Sequence, residues 1–371
     1  MARGFYWHPV LKEFSRILMD SVVFTGVWTG FAPTSEGGFC VRVVGRTRYV
    51  QIGRKSSGAG RSISLPSLAV VRHLIDYRPD VVFTSAFGLW TMVAAALKYP
   101  MRWAVVILYE GSSPTIDYRG SEARLSLRRL LVRFGDAFVS NSQRGGSYLS
   151  DFLGVEQSKL YVQPYQIPSP NSLCLRGDGP PERSTEWRRP VFLYVGQLIP
   201  RKGLLRLLDE CKHLLRRGRR EFTLVLVGDG SQRTELEDHV RRSGLEENVK
   251  MVGWVEYGEL GGYFRCADVF VFPTLEDTWG MAVLEAMVMR KPILCSKLAG
   301  ASELVRDGEN GYLFDPYEAG ELARLMEMMM DDPAGIQRMG VSSCQIIAPH
   351  TPEAAAGFLS DIAQSVAPER N

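Results

Sequence analysis

The stretch Pro273-Thr-Leu-Glu-Asp-Thr-Trp-Gly-Met-Ala-Val-Leu-Glu-Ala-Met287 decides how the chain is read. Just before it, residues 268–272 (Asp-Val-Phe-Val-Phe) form an apolar run of β-branched and aromatic side chains, the pattern of a buried parallel strand. Pro273 ends that strand, and a polar loop follows with two adjacent acids, Glu276 and Asp277. Thr278 reads as a helix cap. From Gly280 onward, Met281, Leu284 and Val288 fall on one side of a helix that also carries Glu285. Asp277 and Glu285 are eight positions apart, so on a helix extended back that far they would be separated by about 80°. The unpaired amides of the helix start offer an anion site between the two acids. Hydroxyl-binding acids flanking a phosphate-binding helix end suit a nucleotide sugar. The same acids also read as caps and helix-dipole partners, so the rest of the chain must decide.

A length of 371 residues accommodates two domains of ordinary size. With 45% apolar and 23% charged residues the composition is that of a folded, globular chain. The net charge of +3 is mildly basic, compatible with an anionic substrate or membrane surface without demanding either. Six scattered cysteines (Cys40, Cys174, Cys211, Cys266, Cys295, Cys344) read as reduced thiols of a cytosolic protein. Five histidines show no metal-ligand spacing, so no protein-held metal is expected. The first residues lack a basic segment followed by an apolar core, which reads as a chain without a secretory leader. Residues 81–97 carry no charge and approach membrane-span length, but Thr84, Ser85, Gly88 and Thr91 within them favour a strand, a turn and a small-residue helix.

Strand-like runs alternate with helical ones throughout, which predicts parallel α/β domains. In the first half, strands are expected at 21–25, 39–45, 48–52, 80–84, 103–109, 137–141 and 161–166. Residues 30–38 and the basic Ser/Gly-rich 54–61 read as loops. Over 121–134, Leu127, Leu130, Leu131 and Phe134 follow i, i+3, i+4, i+7 spacing, with Arg124, Arg128, Arg129 and Arg133 on the other side. That is either an ordinary solvated face or a basic surface for anionic lipid head groups. Residues 168–190, with five prolines and no periodicity, read as an interdomain linker. The second half repeats strand, loop and helix from 191, with two helices finishing the chain.

Ligands of such sheets gather at the carboxyl ends of strands. The loop 196–203 places Arg201 and Lys202 before a glycine and a helix start, where two cations and helix amides can hold a diphosphate and stabilise it as a leaving group. A solvated basic turn is the plainer reading of an Arg-Lys pair. Gly228-Asp-Gly230 is a tight strand-to-helix turn without the third glycine of a dinucleotide fingerprint. There is no GxxxxGK[ST] loop, GxSxG elbow, HExxH helix or DxD pair, which argues against ATP hydrolysis, serine-nucleophile hydrolysis and metal-chelate sugar transfer. Basic residues are not interleaved with aromatics in one patch, so nucleic-acid binding has little support.

The second-half segments 195–203 (Val-Gly-Gln-Leu-Ile-Pro-Arg-Lys-Gly), 226–230 (Leu-Val-Gly-Asp-Gly), 252–254 (Val-Gly-Trp), 267–273 (Ala-Asp-Val-Phe-Val-Phe-Pro), 279–287 (Trp-Gly-Met-Ala-Val-Leu-Glu-Ala-Met) and 299–311, in that order, resemble the retaining glycosyltransferases of family 4. The resemblance implies the GT-B architecture: two Rossmann-like domains whose parallel sheets face each other across a cleft. It implies transfer of a sugar, of hexosyltransferase type and with retained configuration, from a nucleoside diphosphate donor to a hydroxyl acceptor. Gly196, Arg201 and Lys202 would line the donor diphosphate, Glu285 would hold the ribose hydroxyls, and the main chain at Trp279, Gly280 and Met281 would line the phosphate and sugar. Asp277 stands where the family usually has a glutamate contacting a donor-sugar hydroxyl, with Glu276 one position early, so both acids are candidates and Asp277 is preferred. In the first half the resemblance is looser. It covers 78–82 and 136–139, with only Gly4 available for a Gly-rich loop, and Glu110 standing where many members have an acceptor-side histidine.

These readings predict domains at 1–167 and 191–350 joined by a linker at 168–190, with 351–371 packing back on the first. The nucleotide sugar is a substrate, and no tightly bound cofactor or metal is expected. The predicted setting is cytoplasmic, at the inner face of a membrane, in the synthesis of a cell-surface polysaccharide, glycolipid or lipid-linked oligosaccharide. Competing readings are a GT-B nucleotide-sugar epimerase, an α-glucan phosphorylase, and an inactive nucleotide-sugar-binding subunit that supports a partner transferase.

Overall fold

The computed structural model describes residues 7–28, 30, 38–45, 48–51, 62–65, 67, 69–174, 181–182 and 184–369. Its strands in chain order are β1 (Val22–Thr25), β2 (Cys40–Val43), β3 (Arg48–Gln51), β4 (Ser62–Leu65), β5 (Val81–Ser85), β6 (Ala104–Tyr109), β7 (Ala137–Ser140), β8 (Leu160–Val162), β9 (Val191–Val195), β10 (Thr223–Val227), β11 (Val249–Gly253), β12 (Val269–Phe272), β13 (Ile293–Ser296) and β14 (Gly311–Phe314). The chain divides into two compact units, one of Trp7–Ile167 with the segment from Pro352 onward, the other running Pro168–Thr351. Gly4, the basic loop 54–61 and most of the loop 30–38 lie outside the described residues, as do 175–180 and 183 of the expected linker. The described part of that linker holds a short helix, Pro170–Leu173, and a 3-10 turn, Ser184–Glu186.

In the first unit β5, β6, β7 and β8 form a parallel sheet in that order, beside a parallel β1–β2 pair and an antiparallel β3–β4 pair. Strand β4 has no counterpart among the expected strands, since its alternating Ser-Ile-Ser-Leu is short and follows the basic loop. The uncharged run 81–97 resolves into β5 and the start of the Leu89–Met101 helix. Among the described residues no helix is long and apolar enough to cross a membrane. Val105, Ile107, Tyr109, Phe138 and Tyr148 lie at the centre of this unit's core.

The helix Glu122–Val132 corrects the expectation drawn from its spacing. Its buried positions are Leu125, Arg128 and Leu131, while Leu127 and Leu130 are 40% and 49% exposed. The Arg128 guanidinium donates to the carbonyls of Ile116 (2.8 Å) and Asp117 (3.1 Å) and to the Tyr148 hydroxyl (2.7 Å). Those carbonyls belong to the one-turn helix Pro114–Asp117, too short to satisfy its own acceptors. Arg128 supplies the missing donors together with the Tyr148 hydroxyl, which donates to the Asp117 carbonyl at 2.7 Å, so Arg128 does not belong to an exposed basic face. Arg124, Arg129 and Arg133 stay exposed, with Arg124 stacked over the Tyr118 ring and Arg129 Nε donating to the Phe152 carbonyl.

The second unit is built on a six-stranded parallel sheet in the order β11-β10-β9-β12-β13-β14. Strands β9, β10, β12 and β13 are buried at every position. This is why their sequences are near-continuous apolar runs, broken only by Thr223 and Ser296 at strand ends, rather than alternating ones, each large apolar side chain contributing about 1.5–3 kcal/mol by burial. The chain winds outward through β9, β10 and β11, then returns to the other flank of β9 with β12 and winds outward again. The loops leaving β9 and β12 therefore diverge, and the order reverses between them, the usual place for a ligand in such sheets. Three helices rather than two finish the chain: Glu321–Asp331, Pro333–Ile347 and Pro352–Val366. Asp332 separates the first two by capping the second, its carboxylate accepting from Gly335 N at 2.7 Å. The last helix packs against His8–Ile17 within the first unit.

Candidate active site

The loop leaving β9 is fixed by main-chain bonds to the loop leaving β10. Gly196 N donates to the Val227 carbonyl and Leu198 N to the Asp229 carbonyl, both at 3.0 Å. Residues Pro200–Lys202 then make one 3-10 turn that ends at Gly203, whose φ of +70° is in the left-handed region. A Cβ there would lie 2.1 Å from the Pro273 carbonyl oxygen, so only glycine lets this loop close onto the one leaving β12. The closure is made by hydrogen bonds to Arg201: its carbonyl accepts from Leu275 N (2.8 Å) and Thr274 Oγ1 (3.0 Å), and its guanidinium donates to the Glu276 carbonyl (3.0 Å).

Lys202 is 3% exposed. Its ammonium is ion-paired with Asp277 and sits 4.8 Å from the centre of the Phe272 ring. Burial pulls the Lys202 pKa down, and Asp277 opposes that pull. Arg201, half-exposed, lies 3.8 Å from the same carboxylate. The structure thus brings Arg201, Lys202, Glu276 and Asp277 together at the point where the strand order reverses.

The helix after this loop is Met281–Val288, and its N-cap is Gly280 at φ +107°, with no side-chain cap bond. Thr278 is therefore not the cap, and the helix does not reach back to Asp277. The expected 80° relation between Asp277 and Glu285 does not apply, because the chain turns left-handed at Gly280. The helix start carries no side-chain cap; Val283 N already donates to the Gly280 carbonyl (2.9 Å), which leaves the amides of Met281 and Ala282 to an anion. Trp279 is buried, and the carbonyls of Asp277 and Trp279 accept from Gly300 N (3.2 Å) and Ala301 N (2.6 Å). The loop leaving β13 thereby holds the motif from its far side.

Glu285 lies one turn into the helix and is 6% exposed. Near it lies Tyr257, buried, the first residue of the 3-10 turn Tyr257–Glu259 after β11. Burial pushes the Glu285 carboxyl up to about 7, and the neighbouring Tyr257 hydroxyl opposes that push. The sequence reading gives Tyr257 no role of its own among the strand, loop and helix repeats of the second half. Its position just past the carboxyl end of a parallel strand was the signal that could have singled it out.

Glu110 belongs to the other unit, at the carboxyl end of β6. One of its carboxylate oxygens accepts from Gln166 Nε2 at 3.1 Å, and its carbonyl accepts from Asn141 Nδ2 at 3.0 Å. Asn141 and Gln166 were not anticipated either. Among the described residues no group of three or more His, Cys, Asp or Glu side chains converges as metal ligands would.

Residues 182–342 match the family of glycosyl transferases group 1. Among curated proteins, the chain is 30% identical over 169 residues to alpha-D-kanosaminyltransferase of Streptomyces kanamyceticus, covering 46% of this chain and 44% of that one. It is 29% identical over 230 residues to 2-deoxystreptamine glucosyltransferase of the same organism, covering 60% and 58%. The match thus spans about half the length of these relatives. Among solved structures, Anabaena Alr3699/HepE in complex with UDP superposes with a TM-score of 0.76 over 98% of both chains at 19% identity. That likeness establishes the fold as GT-B, with two Rossmann-like domains.

Proposed function

We propose that this chain, whose residues 182–342 are a glycosyl transferases group 1 domain, transfers a sugar from a nucleoside diphosphate donor to a hydroxyl acceptor. The observation that carries the proposal is the convergence, at the β9/β12 reversal, of Arg201, Lys202 and the uncapped start of the Met281–Val288 helix, with Glu285 one turn further on. Two cations and a row of amides suit a diphosphate, and their fixed positions would stabilise it as it leaves the sugar. Glu285 would accept from the ribose hydroxyls. Asp277, or Glu276 beside it, would accept from the donor sugar. Uridine diphosphate is the first donor nucleotide to try, because the Anabaena neighbour was solved with it. Retention of configuration, as in family 4, follows from the resemblance of the motifs at 195–203 and 279–287.

The unit containing Glu110 would receive the acceptor, with Glu110 held in place by Gln166. A lipid-linked or cell-surface acceptor at the cytoplasmic face of a membrane fits the helix Glu122–Val132. There Leu127 and Leu130 are exposed beside Arg124, Arg129 and Arg133, a combination that favours an anionic lipid surface.

The test is a thermal-shift and transfer screen with UDP, GDP, ADP and their common sugar conjugates. One nucleoside diphosphate should stabilise the protein, and neither Glu285→Ala nor Lys202→Ala should respond to it or transfer sugar. Near-normal transfer by both variants would overturn the site. Nucleotide binding without turnover of any conjugate would favour the inactive supporting subunit.

A further inference from the structure

A cavity of about 250 Å³ opens in the second unit between the helix Leu204–Arg216 and the segment that leaves β14. Arg201, Lys202, Glu276, Asp277 and Glu285 do not line it, and it borders their site only at Pro273, where the loop carrying Glu276 and Asp277 begins. Glu210 shapes this cavity. Its buried carboxylate reaches from the helix Leu204–Arg216 to the start of Glu321–Asp331, accepting from Gly320 N (2.9 Å) and Ala323 N (3.0 Å). The later helix has no side-chain cap of its own, so Glu210 serves as one and holds the segment 315–322 against the earlier helix.

The charges on the cavity wall are met unequally. Arg206, Lys212 and Arg216 form no ion pair among the described residues, and Arg206 stacks 4.7 Å from the centre of the Tyr317 ring. The acids are mostly engaged. Glu210 takes the two amides and has His213 Nδ1 at 3.8 Å, Asp209 lies 3.1 Å from His239 Nε2, and Asp315 accepts from Tyr317 N at 2.9 Å. Glu318 is the acid of this wall whose carboxylate has no partner among the described residues. Unpaired like charges sharing one wall repel, more strongly beside protein than in open water, and an anion between them removes that cost. Two of the three cations are arginines, whose planar forks match phosphate oxygens. A volume of about 250 Å³ lies below the ~300–1,000 Å³ usual for cofactor pockets, which suits a phosphate carried on one sugar or polyol rather than a nucleotide. We propose that this cavity binds a small phosphate monoester, at a second site distinct from the one that faces the donor. The proposal does not depend on the transfer reading.

The full chain is titrated by calorimetry with glucose 1-phosphate, glucose 6-phosphate, glycerol 3-phosphate, inorganic phosphate and glucose. At least one of the three esters should bind, more tightly than inorganic phosphate, and glucose should not bind. Arg206→Gln combined with Arg216→Gln should weaken that ester about tenfold or more, through the loss of two charge-assisted donors. Arg201→Gln, in the neighbouring loop, should leave it within about twofold. No binding by any of the three esters would overturn the proposal, and so would inorganic phosphate binding as tightly as every ester. Binding that falls in Arg201→Gln, or that persists in the double variant, would place the phosphate elsewhere and overturn it as well. Should the double variant melt well below the unaltered protein, Lys212→Gln gives the second measurement, and unweakened ester binding by it would count against the cavity.

Discussion

Lys202 and Asp277, 75 positions apart in the chain, form a buried ion pair that joins the loop leaving β9 to the loop leaving β12. Neither charge would be stable at that depth alone. Removing one partner strands the other, which typically costs about 3–5 kcal/mol, whereas replacing both with apolar groups is often neutral.

A double-mutant cycle exposes this coupling. Asp277→Leu and Lys202→Met should each lower stability to urea by several kcal/mol, and the double variant should recover most of the loss. Additive single effects would mean that the two charges are not coupled in solution.

Glu285 predicts a pH dependence of stability with a definite sign. Its carboxyl is raised from 4.5 to about 7 in the folded protein, so the folded state holds the proton over a range in which the unfolded chain has released it. The contribution to stability is complete below about 4.5 and is lost as pH rises through about 7. Glu285→Gln removes that loss. The variant should gain on the unaltered protein in melting temperature between pH 5 and pH 8, and a difference that does not change with pH would contradict the assignment.

Gly203→Ala tests the junction between the two loops. Besides the 2.1 Å approach to the Pro273 carbonyl oxygen, alanine pays about 1–2 kcal/mol for left-handed backbone. The variant should unfold at lower urea and bind nucleoside diphosphate more weakly, because Arg201 and Lys202 follow the loop. Gly218→Ala is the control: Gly218 is also left-handed, at φ +80°, but has nothing within 4 Å of a Cβ. It should cost only the backbone term.

Arg128 and its exposed neighbours should separate fold from membrane contact. Arg128→Met takes the donor from the Ile116 carbonyl and the Tyr148 hydroxyl, while the Asp117 carbonyl keeps only the Tyr148 hydroxyl as donor, at about 1–3 kcal/mol for a buried unmet group. It should destabilise the protein without changing sedimentation with phosphatidylserine vesicles. Leu127→Ser with Leu130→Ser should do the reverse, weakening vesicle binding about tenfold or more through lost apolar burial.

The residues themselves show how far sequence reading reaches. The runs Val-Phe-Leu-Tyr-Val at 191–195 and Val-Phe-Val-Phe at 269–272 carry their own burial, because parallel strands covered on both faces need apolar side chains at every position. The loops that follow them were equally legible from Pro273 and from the glycines at 196 and 203. Arg201, Lys202, Asp277 and Glu285 could therefore be placed at strand ends by local order alone. The start of the helix could not, since Thr278 and Gly280 both offer plausible starts, and what crowds a Cβ at Gly280, the Phe272 ring of β12 at 3.1 Å, is a contact made only in the folded chain.

What the chain determined by itself is which segments are strands and which polar residues stand at their ends, because both depend on neighbours along the backbone. The tertiary structure alone decided the partners: Lys202 with Asp277, Arg201 with the Glu276 carbonyl, and Arg128 with the carbonyls of Ile116 and Asp117. Helical periodicity treated Arg128 as a surface residue because a guanidinium is costly to bury. It is buried nonetheless, because a one-turn helix elsewhere in the chain leaves two acceptors that its long, multiply donating side chain meets together.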